Sequence, residues 1–372
     1  MIKKITALCL CIAVMSVNVC MANETQTDDI YNKDSYTLSL KQAIELAENN
    51  NPQFLTCDTK INDYKFQLER AKIEKRKAKG VVRIPEGLQL LLVQKGYNVE
   101  QNEINLETSK MEKEQAKNKL AYSVTEKYYN VKLSEALVKS SVDTYNLTCE
   151  NEGHVKLQYE LGMVSELDYK NACLAVIQSK ANMDKYSRNL EIATDDLRIA
   201  LQIKNPNAVF YLTDSIEKED FSANFEEDVK NALETRLDVF KLKKTYELSV
   251  LYRETMQVAG KTSTYYSSAN SNVIQCEYAY ENNKKLIALS IKSAYNNIFN
   301  AGDALSVAEA KAEIEEQEYT VAKIKYDLGL ITNGELTNAM LNLSAASIEL
   351  DNAKLTYKLA VQKYLYEITL GL

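Results

Sequence analysis

Apolar side chains recur every three or four positions along most of this chain, and the cleanest run lies near its end. Leu336, Ala339, Leu343, Ala346, Leu350, Ala353, Tyr357, Ala360 and Tyr364 advance in eight steps over 28 residues, 3.5 per step. That period predicts a long helix with a left-handed coiled-coil seam. Leu167, Leu174, Ile177 and Ala181 are a less strict counterpart upstream. Residues 101–160 contain no proline and one glycine, Gly153, so as a single helix they would extend about 90 Å at 1.5 Å per residue. A helix of that length calls for an extended bundle, or for an assembly in which other copies cover its faces.

The two long apolar patterns are copies of each other. Tyr159-Glu-Leu-Gly162-Met-Val-Ser-Glu-Leu-Asp168 returns as Tyr326-Asp-Leu-Gly329-Leu-Ile-Thr-Asn-Gly-Glu335, 167 residues later. The offset also aligns Tyr128 with Tyr295, Asn130 with Asn297, Asn171-Ala172 with Asn338-Ala339 and Leu174 with Leu341. A constant offset over such a length indicates an internal duplication. In each copy a helical stretch closes on Tyr-x-Leu-Gly, where glycine can adopt the left-handed conformation that ends a helix. Ser165, and Thr332 or Asn333, then cap the next helix and place Asp168 and Glu335 at its positive end. Each copy is thus a helical hairpin with a tight turn. The turns comprise Gly162, Met163, Val164 and Ser165, and Gly329, Leu330, Ile331 and Thr332.

Ahead of the first hairpin, helices are predicted from Lys41 to about Asn49 and from Gln53 to about Lys79, broken at Asn50-Asn51-Pro52. The second half repeats this order from Phe225, with its break at Thr235-Arg236. Residues 80–105 and 260–285 are the least regular, and their Tyr, Thr, Val and Ser predict short or vestigial β segments. The expected organisation is a signal peptide over 1–22, a loose leader over 23–37, a first repeat over 38–206, a linker over 207–224 and a second repeat over 225–372. The class is mainly all-α: duplicated long antiparallel helical hairpins.

Composition narrows the function classes. Three prolines, ten glycines and no tryptophan in 372 residues favour long helices. A net charge of −7, with acids and bases mixed along the chain, argues against nucleic-acid binding, which wants a basic stripe. Lys3-Lys4, the apolar run Ile5 to Val19 and the small Ala22 have the form of a secretion signal. Val19 stands where a lipoprotein signal needs a small residue before Cys20. Cys57, Cys149, Cys173 and Cys276 contain no C-x-x-C pair, so neither a metal knuckle nor a redox motif is expected. Cys149 and Cys173 flank the first turn about one helical turn out of register. His154 is the single histidine, on a Lys/Glu-rich helix, and no Gly-rich phosphate loop occurs. No catalytic group, cofactor or metal is expected, and the chain is not read as an enzyme.

Taken with the opening Leu38-Ser-Leu-Lys-Gln-Ala-Ile-Glu-Leu-Ala47, the following Asn51-Pro52-Gln53 and the segment Glu126-Lys-Tyr128-Tyr129-Asn130, the duplicated hairpins resemble the TolC-type outer-membrane efflux channels from about residue 38 to 372. The resemblance implies a homotrimer whose helices close into a periplasmic α-barrel above a membrane barrel. It implies a tunnel fed by an inner-membrane pump through a periplasmic adaptor, in the outer membrane and periplasm. By position, Asp168 and Tyr326 fall where that family holds its entrance shut, and Glu335 where it carries an acidic constriction. The two turns fall at the adaptor-docking tips. Two positions depart: Ile331 stands where the family's gate has a basic partner, and Asn338 where it has a second acidic ring. Stretches 80–105 and 260–285 are also short for two membrane strands each, since one needs about 9–11 residues, which implies a reduced barrel.

Each candidate has a simpler reading beside the sharp one. Asp168 and Glu335 are either pore-lining acids or first-turn acids favoured by the helix dipole. Tyr159 and Tyr326 either latch neighbouring helices or pack as caps. The protein as a whole is either a transport conduit or a coiled-coil scaffold of the cell envelope that lacks a pore.

Overall fold

The computed structural model describes residues 35–79, 87–218 and 220–371. The predicted signal peptide and nearly all of the leader lie outside them. In chain order the elements are β1 (Ser35–Leu38), α1 (Leu40–Asn50), α2 (Pro52–Ala78), α3 (Gly87–Lys95), α4 (Tyr97–Glu160), α5 (Glu166–Ala200), β2 (Val209–Leu212), α6 (Phe225–Thr235), α7 (Leu237–Met256), α8 (Thr264–Asp327) and α9 (Asn333–Glu367). A single 3-10 turn, Gln257–Ala259, follows α7. The mainly helical class holds, with long packed helices and minimal strands.

Local chemistry accounts for the breaks. Asn51 accepts the Gln53 amide at 2.9 Å and Pro52 opens α2, so the Asn-Asn-Pro stretch is a capped corner between two helices. Arg236 makes the matching corner between α6 and α7 without a side-chain cap.

The chain forms two compact units that interleave in sequence. The first takes residues 35–50 and 124–215. There β1 and β2 pair in parallel, from Ser35 opposite Val209 to Leu38 opposite Leu212, and Tyr36 stacks on Phe210 at 5.7 Å. Tyr128 is fully buried; its hydroxyl donates to the Leu38 carbonyl at 2.9 Å and accepts the Asp214 amide at 3.1 Å. Asn50 donates to the Leu201 carbonyl at 3.0 Å, satisfying an acceptor at the end of α5.

The second unit takes residues 51–123 and 216–371. Ile287, Ile291, Ala294 and Ile298 of α8 meet Val361 and Tyr364 of α9 and Ala232 and Val239 of α6 and α7. The spacing of the four α8 residues is the one-face helical period. None of the nine seam positions from Leu336 to Tyr364 is exposed. Glu112 of α4 pairs with Lys60 of α2 at 2.9 Å and with Lys241 of α7 at 2.8 Å.

The expectation of β segments at 80–105 and 260–285 is corrected. Their described residues lie in α3, the start of α4, the turn after α7 and the start of α8. Packing overrides β propensity there: Leu92, Met256 and Ala269 are buried together, with Leu88, Tyr97 and Tyr252 against them. The strands lie instead at 35–38, across the boundary between the predicted leader and the first repeat, and at 209–212, inside the predicted linker. At four residues each they are far below membrane-spanning length.

Candidate functional site

The two hairpin turns have the same backbone, residue for residue. In the first, Gly162 has φ +72°, its amide bonds to the Tyr159 carbonyl at 2.9 Å, and the Met163 amide bonds to the Gln158 carbonyl at 2.8 Å. In the second, Gly329 has φ +69°, its amide bonds to Tyr326 at 2.8 Å, and the Leu330 amide bonds to Lys325 at 2.8 Å. Both are the paired closing bonds of a Schellman ending, which satisfy carbonyls left open by the last helical turn.

A reciprocal cap opens each following helix. The Asp168 amide donates to the Ser165 hydroxyl at 3.1 Å, and the Asp168 carboxylate accepts the Ser165 amide at 3.1 Å and its hydroxyl at 2.6 Å. On α9 the cap is Thr332 and not Asn333. Its hydroxyl accepts the Glu335 amide at 3.3 Å, and the Glu335 carboxylate accepts the Thr332 amide at 2.8 Å and its hydroxyl at 2.9 Å. The Ser165 hydroxyl, then its amide, hold Asp168 below the usual carboxylate range. The Thr332 amide, then its hydroxyl, do the same for Glu335. Both carboxylates are exposed and ionised, and each spends one oxygen on its cap. Asp168 Oδ1 and Glu335 Oε1 take no hydrogen bond among the described residues.

The tyrosines before the turns differ. Tyr159 stacks on Tyr169 at 5.4 Å with rings 10° apart, joining the last turn of α4 to the first turn of α5. Tyr169 also shares a hydrogen bond with the Cys173 thiol, which pushes its hydroxyl up to about 12. Tyr326 has no ring partner and no side-chain hydrogen bond among the described residues, because Leu336 occupies the position corresponding to Tyr169. Farther along the first hairpin, Thr148 bonds Ser179 at 2.6 Å and Cys173 meets Glu152 at 3.8 Å. These contacts fix the register and leave Cys149 about one turn from Cys173; both are free thiols.

Beside the second turn, α8 and α9 leave a groove of about 670 Å³ walled by Gln317, Val321, Lys325, Ile331, Glu335 and Asn338. Three positions singled out in the sequence, Ile331, Glu335 and Asn338, therefore share one groove. Asp168 belongs to the first unit, and Tyr326 and Glu335 to the second. The tips are apolar and open: Leu161, Met163, Leu328 and Leu330 are each about 70 % exposed. A line the sequence reading missed, Val307, Ile314, Val321 and Leu328, is also open, between about half and 70 % exposed, and leaves an uncovered seam on α8. Its seven-residue spacing was the available signal.

No protein-family model matches the sequence. No curated protein matches it. Among solved structures, a membrane protein from Pseudomonas aeruginosa aligns with a TM-score of 0.66 at 12% identity, over 89% of this chain and 90% of that one. CusC aligns with a TM-score of 0.65 at 12% identity, over 89% and 92%. The outer membrane channel CmeC of Campylobacter jejuni aligns at 0.65 and 13% identity, over 88% and 85%. Across most of its length, the chain has the fold of the TolC-type outer-membrane channels.

Proposed function

We propose that this chain is one subunit of an exported helical conduit. Three copies close their hairpins into a tunnel, and the tips meet a periplasmic adaptor that links it to an inner-membrane pump. The observation that carries this reading is the correspondence of fold over 89% of the chain and 90% of a membrane protein of the same design. The uncovered α8 seam supports it, since neighbouring copies are what would cover an apolar heptad line. In this reading the free oxygens of Asp168 and Glu335 face the entrance, Glu335 and its symmetry mates form a carboxylate ring that favours cations, and Tyr326 offers its unpartnered hydroxyl to a neighbouring helix. No catalytic step is assigned.

A second reading, a coiled-coil scaffold of the envelope without a pore, is favoured by one observation. Apart from the turn at Gly96, the described residues of 87–105 and 264–285 are helical where a channel of this design would place membrane strands. Mass measurement in detergent and in buffer, with conductance in planar bilayers, separates the two. A trimer with discrete conductance steps, and with cation selectivity reduced by Glu335→Gln, supports the conduit. An assembly that never conducts and captures no adaptor overturns it in favour of the scaffold.

A further inference from the structure

β1 has one partnered edge and one open edge. The Thr213 amide donates to the Leu38 carbonyl at 3.1 Å, continuing the register that sets Leu38 opposite Leu212. In a parallel ladder, alternate residues of a strand turn both main-chain groups to the same side. Tyr36 and Leu38 therefore face β2, while Ser35 and Thr37 turn their amides and carbonyls away from it. The Ser39 amide, next on that far side, is taken by the Gln42 side chain at 3.0 Å. Thr37 has no such cap. Among the described residues nothing bonds its amide or its carbonyl, and no further strand lies on that edge. Native edges are commonly blunted by lysine or proline, and Ser35-Tyr-Thr-Leu38 carries neither.

Beside the open edge lies a groove of about 370 Å³. One wall is β1. The other is a single face of α1, with Gln42, Glu45, Leu46 and Asn49 at the i, i+3, i+4, i+7 spacing that stacks side chains along a helix. All of these residues belong to the first unit. A strand edge running beside a helix is an arrangement in which an extended peptide adds as a further strand. Main-chain bonds then supply affinity, and the wall reads the side chains. This wall is selective. Glu45 is the one charged residue lining the groove; it is exposed and has no cationic partner among the described residues. Leu46 beside it is half-buried.

We propose that this groove takes an extended segment of a partner protein by strand addition. The segment bonds its main chain to Thr37, sets an apolar side chain against Leu46 and places a basic one on Glu45. Charge selects that occupant over the chain's own residues 23–34, which carry four acids and one base. The proposal goes beyond the conduit reading and does not rest on it, since the groove lies within one unit of one copy.

The test uses the chain from Asn23 and a short capped peptide of alternating threonine and valine with a central lysine, read by fluorescence anisotropy and by amide exchange. Bound peptide should slow exchange at Thr37 roughly tenfold or more, while the turn from Gly329 to Thr332 is unchanged. N-methylation of one alternate set of peptide amides should abolish binding, and of the other set leave it intact. Thr37→Pro removes the donor at an edge position where proline is tolerated. It should weaken binding roughly tenfold with unchanged circular dichroism. Glu45→Lys should reverse the preference, so that a glutamate peptide binds better than the lysine one, by up to about fivefold. A Thr37 amide already protected before peptide is added would mean that the chain's own start or a second copy fills the edge, and would overturn the proposal. Equal binding of lysine and glutamate peptides to the unaltered chain, or binding indifferent to both N-methylated sets, would overturn it as well.

Discussion

Gly162 and Gly329 are the two residues whose identity the hairpins cannot easily spare. Both have positive φ, and a Cβ at either would meet nothing within 4 Å. The cost of Gly162→Ala or Gly329→Ala is therefore conformational, about 1 kcal/mol each, and the two should add because the turns lie in separate units. Urea unfolding of the single and double variants would measure this. Asp168 and Glu335 carry a pH dependence of defined sign. Each folded carboxylate lies below its ordinary value of 3.8 or 4.5, so its contribution is present above that value and is lost as pH falls through the lower folded one. Amide exchange at the starts of α5 and α9 should accelerate in that acid window. Asp168→Asn should abolish the effect at α5 alone. Exposure limits both effects to the local turn.

At the scale of elements, the close of α9 is held from outside its own helix. Arg236 lies in the corner between α6 and α7 with its side chain 9% exposed; it bonds the Glu367 carbonyl at 2.7 Å and pairs with Glu367 and Asp238. Arg236→Ala leaves Glu367, itself largely buried, without its cation, and should cost about 3–5 kcal/mol. Arg236→Lys should recover only part of that, since an ammonium cannot reproduce the guanidinium fork. Tyr364, fully buried, donates to Asp228 at 2.8 Å. Burial first, and Asp228 second, push its hydroxyl above the ordinary 10. Stability contributed by that proton is complete below pH 10 and declines above it. Tyr364→Phe should cost about 1.5–3 kcal/mol near neutrality and flatten the alkaline decline, both readable from chemical denaturation against pH.

For the whole molecule, the uncovered seam on α8 sets the expectation. Ile314→Glu with Val321→Glu places charges in the middle of that line, at positions 54% and 49% exposed beside the open groove between α8 and α9. Light scattering should then show loss of the assembly while circular dichroism keeps its helical content. An assembly unchanged by both substitutions would remove the seam from the interface.

Much of this was legible in the sequence, because helices and their caps are local. The 3.5-residue period, the two Gly turns and the acid three residues after each cap are read within a few positions of one another, and the constant offset made each turn a check on the other. The choice between Thr332 and Asn333 was not legible, since either side chain can cap and only the geometry selects one. The strands were missed because four residues are too few for alternation to show. The β character of 80–105 and 260–285 misled because an apolar run carries no period that separates a strand from a buried helix. Tyr159 and Tyr326, equal in sequence, diverged because one finds Tyr169 across its turn and the other finds Leu336.

Sequence alone therefore determined the two helical hairpins, their turns and the acids at their caps, all set by interactions within a helical turn or two, and a constant offset showed their duplication. Tertiary structure alone decided which apolar faces are covered and which remain open, where the short strands pair, and that Ile331, Glu335 and Asn338 share a groove. Those outcomes depend on residues far apart in the chain, and no local pattern records which distant partner a face will meet.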